Sequence, residues 1–448
     1  MFVADPGLTS LILEYCRRRL ELDPVPLDRK GDAKVLQEAL RGLVKPGPSD
    51  PAEVLRLFSE VLAPAVISSD SPRFLAFIPA APTKASLLFD MVVSCSSLQG
   101  TSWLEASGAV AAENQVLSWL ADLAGLPAGA GGCFVSGGSA GNLSALVVAR
   151  ETARRARSRA ERPLRVAVGD QAHSSLFKAL MVAGMEPLVV QGSGLRLDGS
   201  ALEAALRADG HPDDVVAVCA TAGTTNAGLV DDLASVGEVA KRWGLWYHVD
   251  AAYGGAALLS RTERWRFAGI EQADSVVVDP HKWLFAPFDS SALIYRQPQL
   301  AKAVHTQDAS YLDVIHEGAP EEWNPSDYAY HLSRRARGLP MWFSLLVNGT
   351  EAYRDAVDAA ITMARRSAEL VKDTEYLELM VEPELSVLLF RRTGWSAEDY
   401  ESWSARILEE QIAFVTPTKW QGETVARLVF LHPRTTIDIV CEVIDSMR

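Results

Sequence analysis

Ser275-Val-Val-Val-Asp-Pro-His-Lys-Trp-Leu284 reads as a short apolar β-strand that stops at Asp279-Pro280 and then presents His281, Lys282 and Trp283 in succession. Proline has no N–H to give to a ladder, so Pro280 cannot extend a central strand. The apolar run holds the backbone in the interior, and Lys282 is thereby fixed at a rigid strand end. Lysine is rarely buried without a partner. One held in such a place is often an amine of shifted pKa, able to form a Schiff base with a carbonyl compound.

Outward from this stretch the chain alternates. Strand-like runs lie at 133–136, 165–168, 187–191, 215–221, 246–250, 275–279 and 292–296. Helical stretches fill most of the gaps, at 87–97, 106–123, 141–160 and 233–243. Strands alternating with helices predict an α/β fold with a mostly parallel sheet covered on both faces. Ligands in such folds sit at the carboxyl ends of the strands, and the chemically unusual residues fall there.

The first of them is Val135-Ser-Gly-Gly-Ser-Ala-Gly-Asn-Leu143, a strand running through a Gly-rich turn into a helix. Glycines permit close backbone approach, and a helix start offers free N–H groups to an anion. The stretch lacks the Gly-Lys-Ser/Thr of a P-loop and the spacing of the dinucleotide fingerprint. It reads as a phosphate cradle or as a plain turn capped by Ser139. The second is His248-Val-Asp-Ala-Ala-Tyr-Gly254, where a strand ends on Asp250. That carboxylate needs a partner, and the alanines leave room for a flat ligand; a turn-capping Asp is the alternative. His173, in Asp170-Gln-Ala-His-Ser-Ser175, and the Thr221-Ala-Gly-Thr-Thr-Asn226 turn complete the set. A lone histidine or a polar turn is by itself a structural feature. Together, a phosphate cradle, a strand-end carboxylate, an imidazole and an amine match the needs of pyridoxal 5'-phosphate.

Composition narrows the class. Hydrophobic residues make up 48% and charged residues 22%, an ordinary globular balance. The net charge of -14 argues against nucleic acid as a partner. The five cysteines, Cys16, Cys95, Cys133, Cys219 and Cys441, are far apart and odd in number, as expected of reduced thiols in a cytoplasmic protein. No metal site is expected from that spacing. Neither a secretion signal nor a membrane-spanning run is evident. Helices are expected at 8–20, 33–43 and 51–62, joined by Pro-rich linkers, with little core of their own. The basic run of Arg150, Arg154, Arg155, Arg157 and Arg159 reads as a solvated helix face. Residues 297–340 form a long irregular segment of the kind that borders active sites. A helix at 339–370 and strands at 386–391, 413–416 and 425–431 make a smaller α/β lobe.

In this order and spacing, Asp279-Pro-His-Lys-Trp283, His248-Val-Asp-Ala-Ala-Tyr253 and Asp170-Gln-Ala-His-Ser-Ser175 resemble the group II pyridoxal-phosphate-dependent amino-acid decarboxylases. That family includes the aromatic-L-amino-acid, histidine and glutamate decarboxylases, and the likeness runs from about Leu8 to the C-terminus. It implies a fold type I architecture with a seven-stranded sheet in a large cofactor domain at 86–338. An N-terminal helical dimerisation segment at 1–85 and a small C-terminal α/β domain at 339–448 would flank it. By resemblance, Lys282 is the Schiff-base lysine, Asp250 the partner of the pyridine nitrogen, and His173 the imidazole stacked on the ring. Gly138 and Ser139 match the phosphate turn, Thr225 and Ala252 the residues beside the ring, and Asp279 and His281 adjoin the lysine. Arg427 matches the position that binds the substrate α-carboxylate in glutamate-type members. The resemblance implies transaldimination by the substrate amine, loss of CO2 from the external aldimine to a quinonoid, protonation at Cα and release of an amine. It also implies a homodimer whose active site lies at the subunit interface.

The chain departs from the pattern in its loops. The family's mobile-loop tyrosine, which helps protonate Cα, falls on Pro325 by ungapped counting; Tyr328 and Tyr330 lie near it and His316 earlier. In this family loss of that tyrosine accompanies aldehyde formation with oxygen consumption. The pocket loop reads Phe77-Ile-Pro-Ala80, so Phe77 and Pro79 keep an apolar wall while Ala80 replaces a threonine. Ser333 stands where relatives have Gly or Ser, and Ser there accompanies phenolic or imidazole substrates. The expected function is decarboxylation of an L-amino acid, with an aromatic side chain favoured. The alternatives are an oxidative aldehyde synthase, an acidic amino-acid decarboxylase and, remotely, a non-catalytic scaffold.

Overall fold

The structure, a computed structural model, describes residues 2–79, 81–156, 162–319 and 321–448. Ala80 and the end of the basic helix, with Arg157 and Arg159, lie outside the described residues. The chain begins with α1 (Pro6–Leu20), α2 (Ala33–Leu40) and α3 (Pro51–Leu57), each capped by an Asp side chain. None of the three contributes a buried residue. The amphipathic spacing forms helices, yet their apolar faces find no core among the described residues. Two longer helices follow, α4 (Lys84–Cys95) and α5 (Trp103–Leu123), and α5 supplies Val110, Val116, Leu117 and Leu120 to the interior.

The large sheet contains β1 (Gly131–Val135), β2 (Arg165–Gly169), β3 (Glu186–Val190), β4 (Val215–Thr221), β5 (Trp246–Asp250), β6 (Ser275–Val278) and β7 (Ser291–Tyr295). Its order is β1-β7-β6-β5-β4-β2-β3. The run β6-β5-β4-β2-β3 is parallel, and β7 is antiparallel to both its neighbours. The crossovers carry α6 (Gly138–Ala156), α7 (Ser174–Ala183), α8 (Gly199–Ala208) and α9 (Leu233–Trp243). Every residue of β4, β5, β6 and β7 is buried, as strands covered on both faces must be. The expected α/β class and mostly parallel seven-stranded sheet are therefore what the chain adopts. One core unites α5 and α9 with one face of the sheet, and a second packs α6 and α7 on the other.

Beyond β7 come α10 (Pro298–His305), the irregular segment, and α11 (Leu339–Lys372), which is broken at Gly349, where φ is +73°. The small sheet is antiparallel, in the order β10-β11-β9-β8, from β8 (Leu377–Val381), β9 (Val387–Arg392), β10 (Thr418–Trp420) and β11 (Glu423–Val429). Its helices are α12 (Ala397–Glu409) and α13 (Ile437–Asp445). The strand expected at 413–416 is not formed. Phe414 instead exchanges backbone hydrogen bonds with the 73–75 loop (Phe414 N to Arg73 O, 2.9 Å; Leu75 N to Phe414 O, 2.9 Å), and its ring meets Phe74 and Phe77. The next rung would need Leu75 O, which accepts from Val429 N at 3.0 Å instead, so the ladder does not continue. β8 and β10 were not expected; β10 exists because Gln421 and Gly422, both at positive φ, turn it back on β11.

Candidate active site

Because β2, β4, β5 and β6 are parallel and β1 runs with them, their carboxyl ends share one edge of the sheet. A cleft of about 590 Å³ opens there. Gly138 and Ser139 reach it from the end of β1, His173 from β2, Thr225 from β4, Asp250 and Ala252 from β5, and Asp279, His281 and Lys282 from β6. All nine residues singled out for the cofactor thus line one cavity.

Pro280 does not merely end β6. It occupies the second position of a turn closed by Lys282 N donating to Asp279 O at 2.9 Å. Trp283, fully buried, stacks on Tyr253 with centroids 5.3 Å apart and pins the far side of this turn. Lys282 Nζ lies 3.0 Å from Asp279 Oδ2. Burial pulls the amine's pKa down, but Asp279, then Asp250, outweigh it, and the net direction is upward. The half-buried amine is therefore held as an ammonium by a carboxylate three residues away, not depressed by burial alone. For Asp279, burial pushes up, but Lys282 and His281 pull the carboxyl below its ordinary value. His281 accepts a hydrogen bond from Ser290 N at 3.0 Å, and burial lowers its pKa.

Asp250 takes Ala252 N on Oδ1 at 3.1 Å and Asn142 Nδ2 on Oδ2 at 2.9 Å. Behind them His248 is fully buried between Asn142 Oδ1 and Ser275 Oγ. His173 caps α7, its Nδ1 accepting from Ser175 N at 3.2 Å and facing Ser175 Oγ at 2.8 Å.

These residues fit pyridoxal 5'-phosphate on observations of the site itself. The helix that follows the Gly-rich turn starts at the cleft. A Cβ on Gly138 would sit 3.0 Å from Asp279 Oδ2 and 3.1 Å from Ala252 Cβ, so the cradle admits only glycine without rearrangement. An amine, a carboxylate, an imidazole and an anion cradle around one cleft are the complement of an aldehyde, a pyridine nitrogen, a ring face and a phosphate. Among the described residues no cluster of His, Cys, Asp and Glu is arranged to hold a metal ion. Nor is any helix among them long and apolar enough to cross a membrane.

The expected substrate residues are dispersed. Phe77, Pro79 and Ser333 are not among the residues lining the cleft; Phe77 and Ser333 are exposed, Pro79 half-buried. Arg427 is buried, and its guanidinium donates to three backbone carbonyls, Thr225 at 2.6 Å, Asn226 at 3.1 Å and Phe77 at 3.2 Å. It braces the turn that carries Thr225 instead of facing the cleft, and burial lowers its pKa to about 10. Of the two loop tyrosines, Tyr330 lines the cleft. Tyr328 does not: it is 5% exposed and stacked on Trp323 at 4.1 Å. Its candidacy for the cleft is corrected by that packing. The sequence reading gave no role to Asn142, Ser175 or Phe288, which also line the cleft. An Asn in the first turns of the helix after a Gly-rich turn was the available signal for Asn142.

Comparison with known proteins agrees with this geometry. The family described as "Pyridoxal-dependent decarboxylase conserved domain" matches residues 43–393. An aromatic-L-amino-acid decarboxylase of Bacillus atrophaeus is 30% identical over 451 residues, covering 98% of this chain and 93% of the relative. An L-2,4-diaminobutyrate decarboxylase of Rhizobium meliloti (strain 1021) is 31% identical over 437 residues, 92% of this chain and 85% of the relative. Among solved structures, an Oryza sativa TDC with PLP and tryptamine superposes with a TM-score of 0.91 at 24% identity, over 99% of both chains. At that identity the superposition speaks for the fold, which is fold type I.

Proposed function

Because the chain belongs to the pyridoxal-dependent decarboxylase family, and is thus a pyridoxal 5'-phosphate-dependent carboxy-lyase of amino acids, we propose that it converts an L-amino acid with an aromatic side chain to the amine and CO2. The observation that carries the site assignment is the single cleft lined by Lys282, Asp250, His173 and the Gly138-Ser139 turn. The names of relatives that act on aromatic amino acids support the substrate class, as do the apolar Leu143, Val182 and Phe288 in the cleft wall.

When bound, pyridoxal 5'-phosphate supplies an aldehyde and a ring that accepts the electrons left by departing CO2. Lys282 Nζ is the amine that would hold its aldehyde. Asp279 stores the proton on Nζ while Lys282 is free. Asp250, held in place by Asn142 Nδ2 and Ala252 N, would accept from the pyridine N–H. The Gly138-Ser139 turn would receive the phosphate, and His173 would cover the ring. Tyr330, 53% exposed and in the cleft wall, would bring a proton to the substrate carbon that has lost CO2.

The acidic amino-acid alternative is less well supported, since Arg427 is committed to backbone carbonyls. The aldehyde-forming alternative turns on whether Tyr330 protonates faster than oxygen reacts. Incubating the enzyme with a panel of L-amino acids and following CO2, amine, aldehyde, ammonia and peroxide separates the three. Amine and CO2 in equal amounts from an aromatic substrate are expected; aldehyde with ammonia and peroxide would overturn the amine assignment.

The apolar faces left open on the N-terminal helices, with Leu13 53%, Val35 62% and Val54 53% exposed, support a homodimer in which 1–85 packs on the partner. The two sheets support a division into a cofactor domain at 86–338 and a small domain at 339–448. A cytoplasmic enzyme without nucleic-acid partners is in keeping with the net charge of -14. Measuring the mass in solution tests the dimer.

A further inference from the structure

We infer that His248 is a positioning residue of the active site. It is the hub of a one-directional hydrogen-bond chain that starts at the Trp246 indole, passes through Ser275 and Asn142, and ends on both Asp250 and His173. This rests on the reading of Asp250 and His173 as the cofactor's partners.

The direction follows from the chemistry of each group. Trp246 Nε1 lies 2.8 Å from Ser275 Oγ, and an indole only donates. The Ser275 hydroxyl accepts there and turns its own hydrogen to His248 Nδ1, 2.8 Å away. His248 is completely buried, and burial draws its pKa down to about 4, so the ring is neutral at neutral pH. With Nδ1 accepting, its one hydrogen is on Nε2 and goes to Asn142 Oδ1 at 2.9 Å. The Asn142 amide is thereby oriented, and its NH2 faces Asp250 Oδ2 at 2.9 Å and Ser175 Oγ at 3.3 Å. Ser175 Oγ, accepting from Asn142, points its hydrogen at His173 Nδ1, 2.8 Å away. His173 Nδ1 is then an acceptor, as it is for Ser175 N, and the ring hydrogen is on Nε2.

Reversing the chain would set the Asn142 oxygen against the Asp250 carboxylate at 2.9 Å, two acceptors facing each other. It would also oblige Ser275 Oγ to accept from two donors and leave its own hydrogen unplaced. Both ends therefore enforce the same direction. Trp246, His248 and Ser275 are 8%, 0% and 0% exposed, and none of the three lines the cleft. Their hydrogen bonds reach the cleft only by way of Asn142.

The test is made on the purified holoenzyme and on protein stripped of cofactor and titrated with pyridoxal 5'-phosphate. The readouts are the cofactor dissociation constant, the visible absorption band of the bound cofactor, and the split between kcat and KM. His248→Phe keeps the bulk and removes both ring nitrogens. It is expected to weaken cofactor binding by about 10- to 100-fold, to shift the visible band, and to lower kcat with KM for the amino acid within about twofold. Ser275→Ala is expected to reproduce the band shift with a smaller loss of affinity. Ser275→Thr, which keeps the hydroxyl, is expected to restore the band. If His248→Phe does not fold, Trp246→Phe and Ser275→Ala decide the matter by the same readouts. Folded variants with the parent's cofactor affinity and visible band, or with lowered melting temperature alone, would overturn the chain. The function reading fails separately, if the parent protein has no visible band that depends on Lys282.

Discussion

Asp279→Asn tests the electrostatics of the reactive amine. Asp279 Oδ2 lies 3.0 Å from Lys282 Nζ, and the two side chains are 2% and 23% exposed. At that distance and an effective dielectric constant of about 20, the attraction is worth about 5 kcal/mol. The Asn oxygen can still accept a hydrogen bond, which returns about 1 kcal/mol. The remainder moves the equilibrium between ammonium and amine about 100- to 1000-fold toward the neutral amine. The sign is set by the cause. Asp279 and Asp250 raise the pKa of Lys282 against burial, so removing Asp279 lowers it and the nucleophilic amine appears at lower pH. Protein stripped of cofactor is mixed with saturating pyridoxal 5'-phosphate, and the growth of the visible band is timed from about pH 6 to 10, a range that ends near the ordinary lysine value. The variant is expected to react faster than the parent at neutral pH and to reach its plateau at lower pH. Superimposable profiles, or a shift to higher pH, would refute the reasoning.

Tyr330→Phe is expected to divert product from amine toward aldehyde with oxygen uptake, while Tyr328→Phe, whose ring is stacked on Trp323 away from the cleft, leaves the product ratio unchanged; chromatography of the products checks both. Arg334 and Glu113 form a bidentate pair at 2.7 and 2.8 Å with side chains 1% and 2% exposed, so Arg334→Met strands a buried carboxylate and costs about 3–5 kcal/mol, read as a lowered denaturation midpoint. Arg427→Lys offers one ammonium where a guanidinium serves three carbonyls. It is expected to lose about 1.5–3 kcal/mol for each charge-assisted hydrogen bond not replaced and to weaken cofactor binding through the Thr225 turn.

Much of the large sheet was legible because its strands are buried on both faces and read as continuous apolar runs. β4 and β5 have the boundaries expected from sequence. The gathering of Lys282, Asp250, His173 and Gly138 was legible for a related reason: parallel strands place every carboxyl end on one edge. What depends on side-chain direction was not legible. Tyr328 and Tyr330 are two residues apart in an irregular segment, and only the stacking on Trp323 decides which one turns inward. Arg427 was expected at a carboxylate-binding position because sequence does not show that the 77 and 225–226 turns present three carbonyls to it. The short strand β10 depends on a two-residue turn, and 413–416 lost its strand character to a pairing with a loop more than 300 residues away. Asn142 joins Asp250 across 108 positions, a distance over which no local pattern reports contact. The raised pKa of Lys282 likewise depends on a carboxylate whose direction the turn at Pro280 sets.

The central claim is that Lys282 tethers pyridoxal 5'-phosphate in this cleft. Its most direct test is the visible spectrum of the purified protein beside that of Lys282→Ala loaded with the same cofactor. The account predicts a yellow parent whose visible band is abolished in the variant, together with loss of CO2 release from aromatic L-amino acids. A band of unchanged position and strength in a folded Lys282→Ala protein would contradict it.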